Sequence, residues 1–369
     1  MTLPRTAVAA SALMLALMAG PALAQSAHAG HAGHGAPAAA PLKTKLDPGG
    51  LYEIVFNTAD NTVLVAAVGP RGESRARIHR LNGADLTPAG EPIDVAANPL
   101  YGLGFNSRTQ TLYGTATRSG SVDAVDVRTG RVIGHIADAG NESAHVREAI
   151  VDEAANKVYV SVVGGEPGDA SRPNQIWVID GATNTLERKI DVQVGGLTGV
   201  ALDAANNRLF VTGMGSHDVG VVDLATGATV SRWAVGSERP TNVAFDARGG
   251  RLFVASQGGG DLTVMNAADG AVIRKVPTGE GALSVAYSAG NDRIYVANRV
   301  AGTVTVVSGA DYSVLANVET GTFPQTIAVD PASNRVYVTN KARGLPRNAP
   351  AGTPVPEDAN GDTVVVIQP

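Results

Sequence analysis

Short apolar runs, each stopped by Asn or Asp, follow one another along nearly the whole of this chain. The clearest copy reads Ile-Ala-Val-Asp-Pro-Ala-Ser-Asn-Arg-Val-Tyr-Val-Thr-Asn, from Ile327 to Asn340: a strand, a four-residue turn and a second strand. Sliding it back along the chain aligns Asp330 with Ser288, Asp246, Asp203, Asp152, Asn106 and Asn57, at intervals of 42, 42, 43, 51, 46 and 49 residues. Strand-built repeats of that period predict an all-β, seven-bladed β-propeller. The fourth repeat shows four strand-like runs, Thr198 to Asp203, Arg208 to Gly213, Asp218 to Asp223 and Ala228 to Val235. Their apolar cores lack strict alternation, as expected of strands covered on both faces by neighbouring blades.

The turns carry their own signal. The position closing the first turn reads Asn61, Gln110, Asn156, Asn207, Gly250, Asp292 and Asn334, mostly residues that tolerate positive φ. A second turn column has Gly130, Asn184, Gly227 and Gly270, with Leu86 and Tyr312 departing from it. The seventh repeat offers only three strands before the chain stops. Leu42 to Leu51 resembles Leu186 to Leu197, the outer strand and exit of the third repeat. Residues near 42 to 47 are therefore expected to supply the outer strand of the last antiparallel blade and latch the ring shut.

These repeats resemble the YVTN family of bacterial β-propellers. The naming motif stands intact at Tyr337 to Asn340, with Tyr159-Val-Ser-Val, Phe210-Val-Thr-Gly, Phe253-Val-Ala-Ser and Tyr295-Val-Ala-Asn as variants. Arg147-Glu148, Ile176 to Gly181 and the broken last blade ending in Asp362 to Ile367 are similar more narrowly to a periplasmic member of that family. The resemblance covers residues 42–369 and implies a seven-bladed ring in the periplasm. It implies little chemistry, because propellers host enzymes, scaffolds and binders alike.

Composition adds a compartment. Residues 1–24 read as a signal peptide: Arg5, an apolar run from Ala7 to Ala19, Gly20-Pro21, then Ala22-Leu23-Ala24 as a cleavage site. The remainder carries 28 basic and 34 acidic residues, a formal charge of −6, which weakly opposes binding to polyanions. There is no cysteine, so neither disulfides, thiolate metal sites nor a lipid-modified cysteine are expected. No run after the leader is long enough for a transmembrane helix. A periplasmic or secreted protein without a lipid anchor is the expectation.

Residues 25–41 form a His-, Ala-, Gly- and Pro-rich linker, expected to be disordered for want of anything to bury. His28, His31 and His34 within it are candidate ligands for Cu(II), Ni(II) or Zn(II), against the plainer reading of incidental histidines in a linker. His79, His135, His145 and His217 are scattered over four repeats, with no carboxylate at ligand spacing.

Two rims would carry different residues. The loops between second and third strands are long at Gly69 to Ala76, Gly164 to Asn174 and Lys341 to Gly361, and short in repeats four to six. Long loops on a rigid ring suit binding, although insertions also accumulate where they do no harm. On that rim the inner strands open with Tyr52-Glu53, Tyr101, Arg147-Glu148, Thr198, Thr241-Asn242, Ser284 and Gln325-Thr326, with Arg239 just before Pro240. Tyr52, Glu53, Tyr101, Arg147, Glu148, Arg239, Asn242 and Gln325 are the candidate ligand-binding residues, suited to a small anionic or planar ligand. The competing reading is a polar channel lining that holds water. On the opposite rim Lys157, Arg208, Arg251, Arg293 and Arg335 open successive second strands, either as an arc of cations or as turn residues beside acidic partners.

The functional expectation is a binding or scaffold protein with an unknown protein or small-molecule partner. Three alternatives stand beside it: single-stranded nucleic acid binding, which the net charge disfavours; metal handling through the histidine tail; and a lactonase-like channel enzyme using Glu53, Glu148 and Asn242 around an ion. No catalytic motif is present, so no catalytic residue is assigned.

Overall fold

A computed structural model describes residues 42–70, 73–345 and 353–368; the signal peptide, the linker and its three histidines lie outside the described residues. Seven four-stranded antiparallel sheets make a propeller. The inner strands are Leu51–Asn57, Gly102–Asn106, Val146–Asp152, Leu197–Asp203, Pro240–Asp246, Ala282–Ser288 and Pro324–Val329. Sequence order equals spatial order in blades 1 to 6. Blade 7 runs Pro324–Val329, Val336–Asn340, Thr363–Ile367, and its fourth strand is Lys43–Lys45. Lys43 pairs with Val365, Thr44 with Val364 and Lys45 with Thr363, so the expected latch is present. Among the described residues no helix is long and apolar enough to cross a membrane.

Seven hydrophobic clusters fill the ring, each lying between two blades rather than inside one. Leu51, Val63 and Leu81 of blade 1 share a cluster with Tyr337, Val364 and Val366 of blade 7. Leu64 and Ile78 pack with Leu103 and Leu112 of blade 2. A blade is apolar on both faces because each face belongs to a different cluster, which explains the missing alternation. Stability is accordingly shared between neighbours around the ring.

The aligned Asn/Asp column is turn chemistry. Asn57 Oδ1 accepts from the Ala59 N–H at 3.0 Å, Asn106 Oδ1 from Arg108 at 3.0 Å, Asp152 Oδ1 from Ala155 at 3.0 Å and Asp330 Oδ1 from Ala332 at 2.9 Å. Each side chain stands in for a backbone acceptor and tightens the turn that follows. The residues closing these turns all take positive φ, from 49° at Asp292 to 62° at Gly250. Leu86 and Tyr312 also adopt left-handed conformations, at 60° and 62°, although neither is a residue that prefers them. Leu86 is buried against blade 7 and Tyr312 packs beside Phe253, so apolar contact offsets a conformational cost of about 1–2 kcal/mol.

The cations of the lower rim are tied down. Lys157 reaches Asp180 at 2.6 Å and Glu187 at 2.5 Å, Arg208 reaches Asp203 at 2.9 Å, and Arg251 joins Asp246 at 2.7 Å to Asp292 at 2.8 Å. Arg335 Nη1 donates to the carbonyls of Gly83 and Ala84. Four of these five therefore serve turns and blade contacts instead of forming an open basic arc.

Candidate functional site at the channel mouth

Six of the seven inner strands lose register where they enter the channel. The irregularities fall between Leu51 and Ile54, Val146 and Ala149, Leu197 and Val200, Pro240 and Asn242, Ala282 and Ser284, and Pro324 and Ile327. A bulge re-aims the side chains it contains. Tyr52-Glu53 and Arg147-Glu148 lie within such bulges, and all four are partly exposed instead of alternating between buried and free.

The bulge carbonyls are held by the preceding blade. Thr115 Oγ1 donates to the Arg147 carbonyl at 2.7 Å and accepts from the Gly102 N–H at 2.9 Å. Ser161 Oγ donates to Thr198 at 2.9 Å, and Thr339 Oγ1 to Tyr52 at 2.7 Å. Glycines let the strands come this close: a Cβ at Gly102 would stand 2.0 Å from the Arg147 carbonyl oxygen. Blade 4 opens with Thr198-Gly199, where a Cβ at Gly199 would lie 2.6 Å from the Asn242 Cα. No side chain from Gly199 intervenes between blades 3 and 5.

Across that gap, Asn242 Nδ2 donates to both Glu148 oxygens, at 3.1 and 3.2 Å, while its Oδ1 accepts from the Val285 N–H at 3.0 Å. Arg147 Nη1 donates to the Thr241 carbonyl at 3.4 Å. These groups line a cavity of about 840 Å³ together with Tyr52, Glu53, Tyr101 and Gln325. Gln325 is itself buried, its amide donating to the Phe323 carbonyl at 3.0 Å. Arg239 does not join them: it is exposed on the rim at φ 55°, with Nη2 3.8 Å from the Met214 sulfur. Thr198 and Thr241 face the blade contacts, not the cavity.

Burial and crowding set the charges. The Glu53 carboxyl is pushed up to about 8, by burial first and by the Glu148 charge second, against hydrogen bonds from Thr326 and Ile54 and the pull of Arg147. Burial pushes Glu148 up to about 7, opposed by Arg147 and by the Asn242 amide. Burial lowers Arg147 from its usual value, with both carboxylates pulling it back. Although the three groups feel one another, none of them is among the ion pairs of the described residues.

Above this layer the mouth is cationic and aromatic. The Lys341 ammonium lies 3.8 Å from the Tyr52 ring centroid and also donates to its hydroxyl. Tyr52 meets Tyr101 edge to face at 4.9 Å, and the Arg118 guanidinium stands 5.5 Å from the Tyr101 ring. Arg299 and Arg343 flank Phe323 at 4.9 and 4.7 Å. Sequence reasoning did not single out Lys341, Arg118 or Arg299. Their signal was their place just beyond the second strands, after Ala116, Asn298 and Asn340. Of the folded histidines, His145 lines the cavity, and His135 Nδ1 pairs with Asp123 at 2.7 Å, a carboxylate that spacing alone had not offered. Among the described residues no group of three or more His, Asp or Glu is placed to hold a metal ion.

No family model matches the chain. Among curated proteins it is similar to YncE of Salmonella typhi, with 31% identity, and to YncE of Escherichia coli strain K12, with 30%; both are described as uncharacterized. Each match runs over 192 residues, 50% of this chain, and the chain spans about half (51%) of the length of these relatives. Among solved structures, a chain of Kuenenia stuttgartiensis hydrazine synthase superposes with a TM-score of 0.67 at 17% identity, covering 80% of this chain and 94% of that one. That likeness speaks for the fold alone. The chain is thus a YncE-like seven-bladed propeller.

Proposed function

We propose that this propeller is an exported periplasmic binding protein that takes a small charged ligand at the mouth of its channel. The observation that carries the reading is the set Arg147, Glu53 and Glu148, brought by bulges into one cavity and left without ion pairs. Charged groups drawn into a cavity with hydrogen bonds but no counter-charge in contact are costly to maintain, and a charged ligand supplies the counter-charge. The leader-like residues 1–24 support export. The test is a thermal-shift screen of charged metabolites against the parent protein and Arg147→Ala. A ligand that raises the parent's melting temperature and leaves the variant's unmoved supports the reading, because binding to the native state stabilises it by mass action. A panel without effect, or one acting equally on both proteins, overturns it.

One observation favours a second reading, single-stranded nucleic acid lying across the same mouth: the alternation of Lys341, Arg118, Arg299 and Arg343 with Tyr52, Tyr101 and Phe323. Titration of a labelled oligonucleotide at two salt concentrations tests it. Binding that weakens steeply with salt supports nucleic acid; absence of binding at low salt removes it.

A further inference from the structure

The chemistry of the cavity narrows its ligand, on the premise that the mouth is a ligand site. Two carboxylates, Glu53 and Glu148, face one guanidinium, Arg147, and no ion pair joins them. A simple anion drawn to Arg147 would lie beside both carboxylates. A simple cation drawn to the carboxylates would lie beside Arg147 and beneath Lys341 and Arg118. Among the described residues no third Asp, Glu or His is grouped with the two carboxylates to complete a metal site, and the Asn242 amide is engaged by Glu148 and the Val285 N–H. Between the polar groups the lining carries apolar side chains, Ile150, Leu202, Ala244, Leu283 and Ile327 among them.

We propose that the site binds a compact zwitterion, an α-amino acid with an apolar side chain. Its ammonium group satisfies Glu53 and Glu148, its carboxylate satisfies Arg147, and its side chain meets the apolar lining. Charge-assisted bonds to both ends reward a ligand bearing both charges over one bearing either. The lopsided wall agrees with this: Gly199 leaves open the gap across which Asn242 reaches and orients Glu148.

The charge pattern also fixes a pH signature. The ionisable groups facing the cavity are Tyr52 and Glu53 from blade 1, Tyr101 and Arg118 from blade 2, and His145, Arg147 and Glu148 from blade 3. Blades 6 and 7 add Arg299 and Lys341, whereas blades 4 and 5 contribute only neutral side chains. An ammonium competes with protons for Glu53 and Glu148, so amino-acid affinity rises as pH increases from 6 to 8.5. A lone carboxylate does the reverse, since each proton lost from the pair adds a repelling charge.

Calorimetric titration with L-leucine, 4-methylpentanoate and 3-methylbutylamine separates the two ends of the molecule. Leucine is expected to bind at least about tenfold more tightly than either half, with affinity growing with pH. Glu53→Gln and Glu148→Gln, checked for cooperative melting, should each weaken leucine by about tenfold and strengthen 4-methylpentanoate. Equal binding of leucine and 4-methylpentanoate, leucine affinity that falls with pH, or no binding of any of the three overturns the zwitterion. If 4-methylpentanoate binds and Arg147→Ala abolishes it, the mouth remains a ligand site and only the ligand class is wrong. If the wider metabolite panel fails as well, the premise falls with it. The comparison of the three probes on the parent protein holds even where a variant fails to fold.

Discussion

Replacing Thr115 by valine tests how the fold holds the Arg147 bulge of the channel mouth in place. Thr115 is fully buried in the second strand of blade 2, Thr111–Ala116. Its hydroxyl joins the Arg147 carbonyl of blade 3 to the Gly102 N–H of its own blade. Valine keeps the volume and deletes both bonds, leaving a buried acceptor and a buried donor short of a partner. Such a loss costs about 1–3 kcal/mol. For a chain of this size, each kcal/mol moves the melting temperature by about 2–4 °C, so Thr115→Val should melt about 2–12 °C lower. Thr115→Ser retains the hydroxyl and should recover most of that difference, giving up only a methyl group of about 0.8 kcal/mol. Thermal unfolding followed by circular dichroism reads all three proteins. If Thr115→Val melts within about 1 °C of the parent, the bond is not what anchors the Arg147 bulge.

Three further outcomes are expected. Glu53 has a folded value of about 8 against an ordinary 4.5, so its favourable contribution is complete below pH 4.5 and disappears as pH rises through 8. Glu53→Gln should therefore gain on the parent across that window, by roughly 1–2 kcal/mol at pH 9 once channel water is allowed for, and parallel denaturation profiles from pH 4 to 9 would refute the assignment. Arg251→Ala removes the guanidinium that pairs the buried Asp246 and should cost about 3 kcal/mol in urea denaturation; an unchanged midpoint would show the pair contributes nothing. Leu86→Gly relieves a left-handed backbone worth about 1–2 kcal/mol but gives up roughly 1.5–3 kcal/mol of burial, so a net loss near 1 kcal/mol is expected, and a stabilised variant would show that strain outweighs packing.

The ring was legible because its repeating signals are local. Asn57, Asn106, Asp203 and Asp330 mark turns through bonds to residues two or three positions away, and such bonds recur at Asp152 and Asp246, whereas Ser288 donates to Asn334 of the next blade instead. The missing fourth strand of blade 7 could be found by counting. The mouth was half legible: Tyr52, Glu53, Arg147 and Glu148 stand out as polar residues opening apolar strands, but alternation cannot reveal a bulge that turns neighbours to one side. Lys341 read as an ordinary loop charge because its partner, Tyr52, is 289 positions away and meets it only after closure. Leu86 and Tyr312 departed from the turn pattern in identity while obeying it in conformation. Their side chains found apolar cover in neighbouring blades, which no local rule records.

The pairing of Lys43–Lys45 with Thr363–Ile367 has a kinetic consequence. Lys43 and Asn360, 317 positions apart, meet only when both ends of the sheet array are in hand. A polypeptide made from its amino end can assemble blades 1 to 6 as they emerge, yet the seventh needs Thr363–Ile367 before Lys43–Lys45 can pair. Until then the blade 1 face that packs on Tyr337, Val364 and Val366, and the half-built last sheet, remain open to solvent and to other chains. Refolding should accordingly show a late phase in which the seam zips shut, slow because so long a loop has to be closed first.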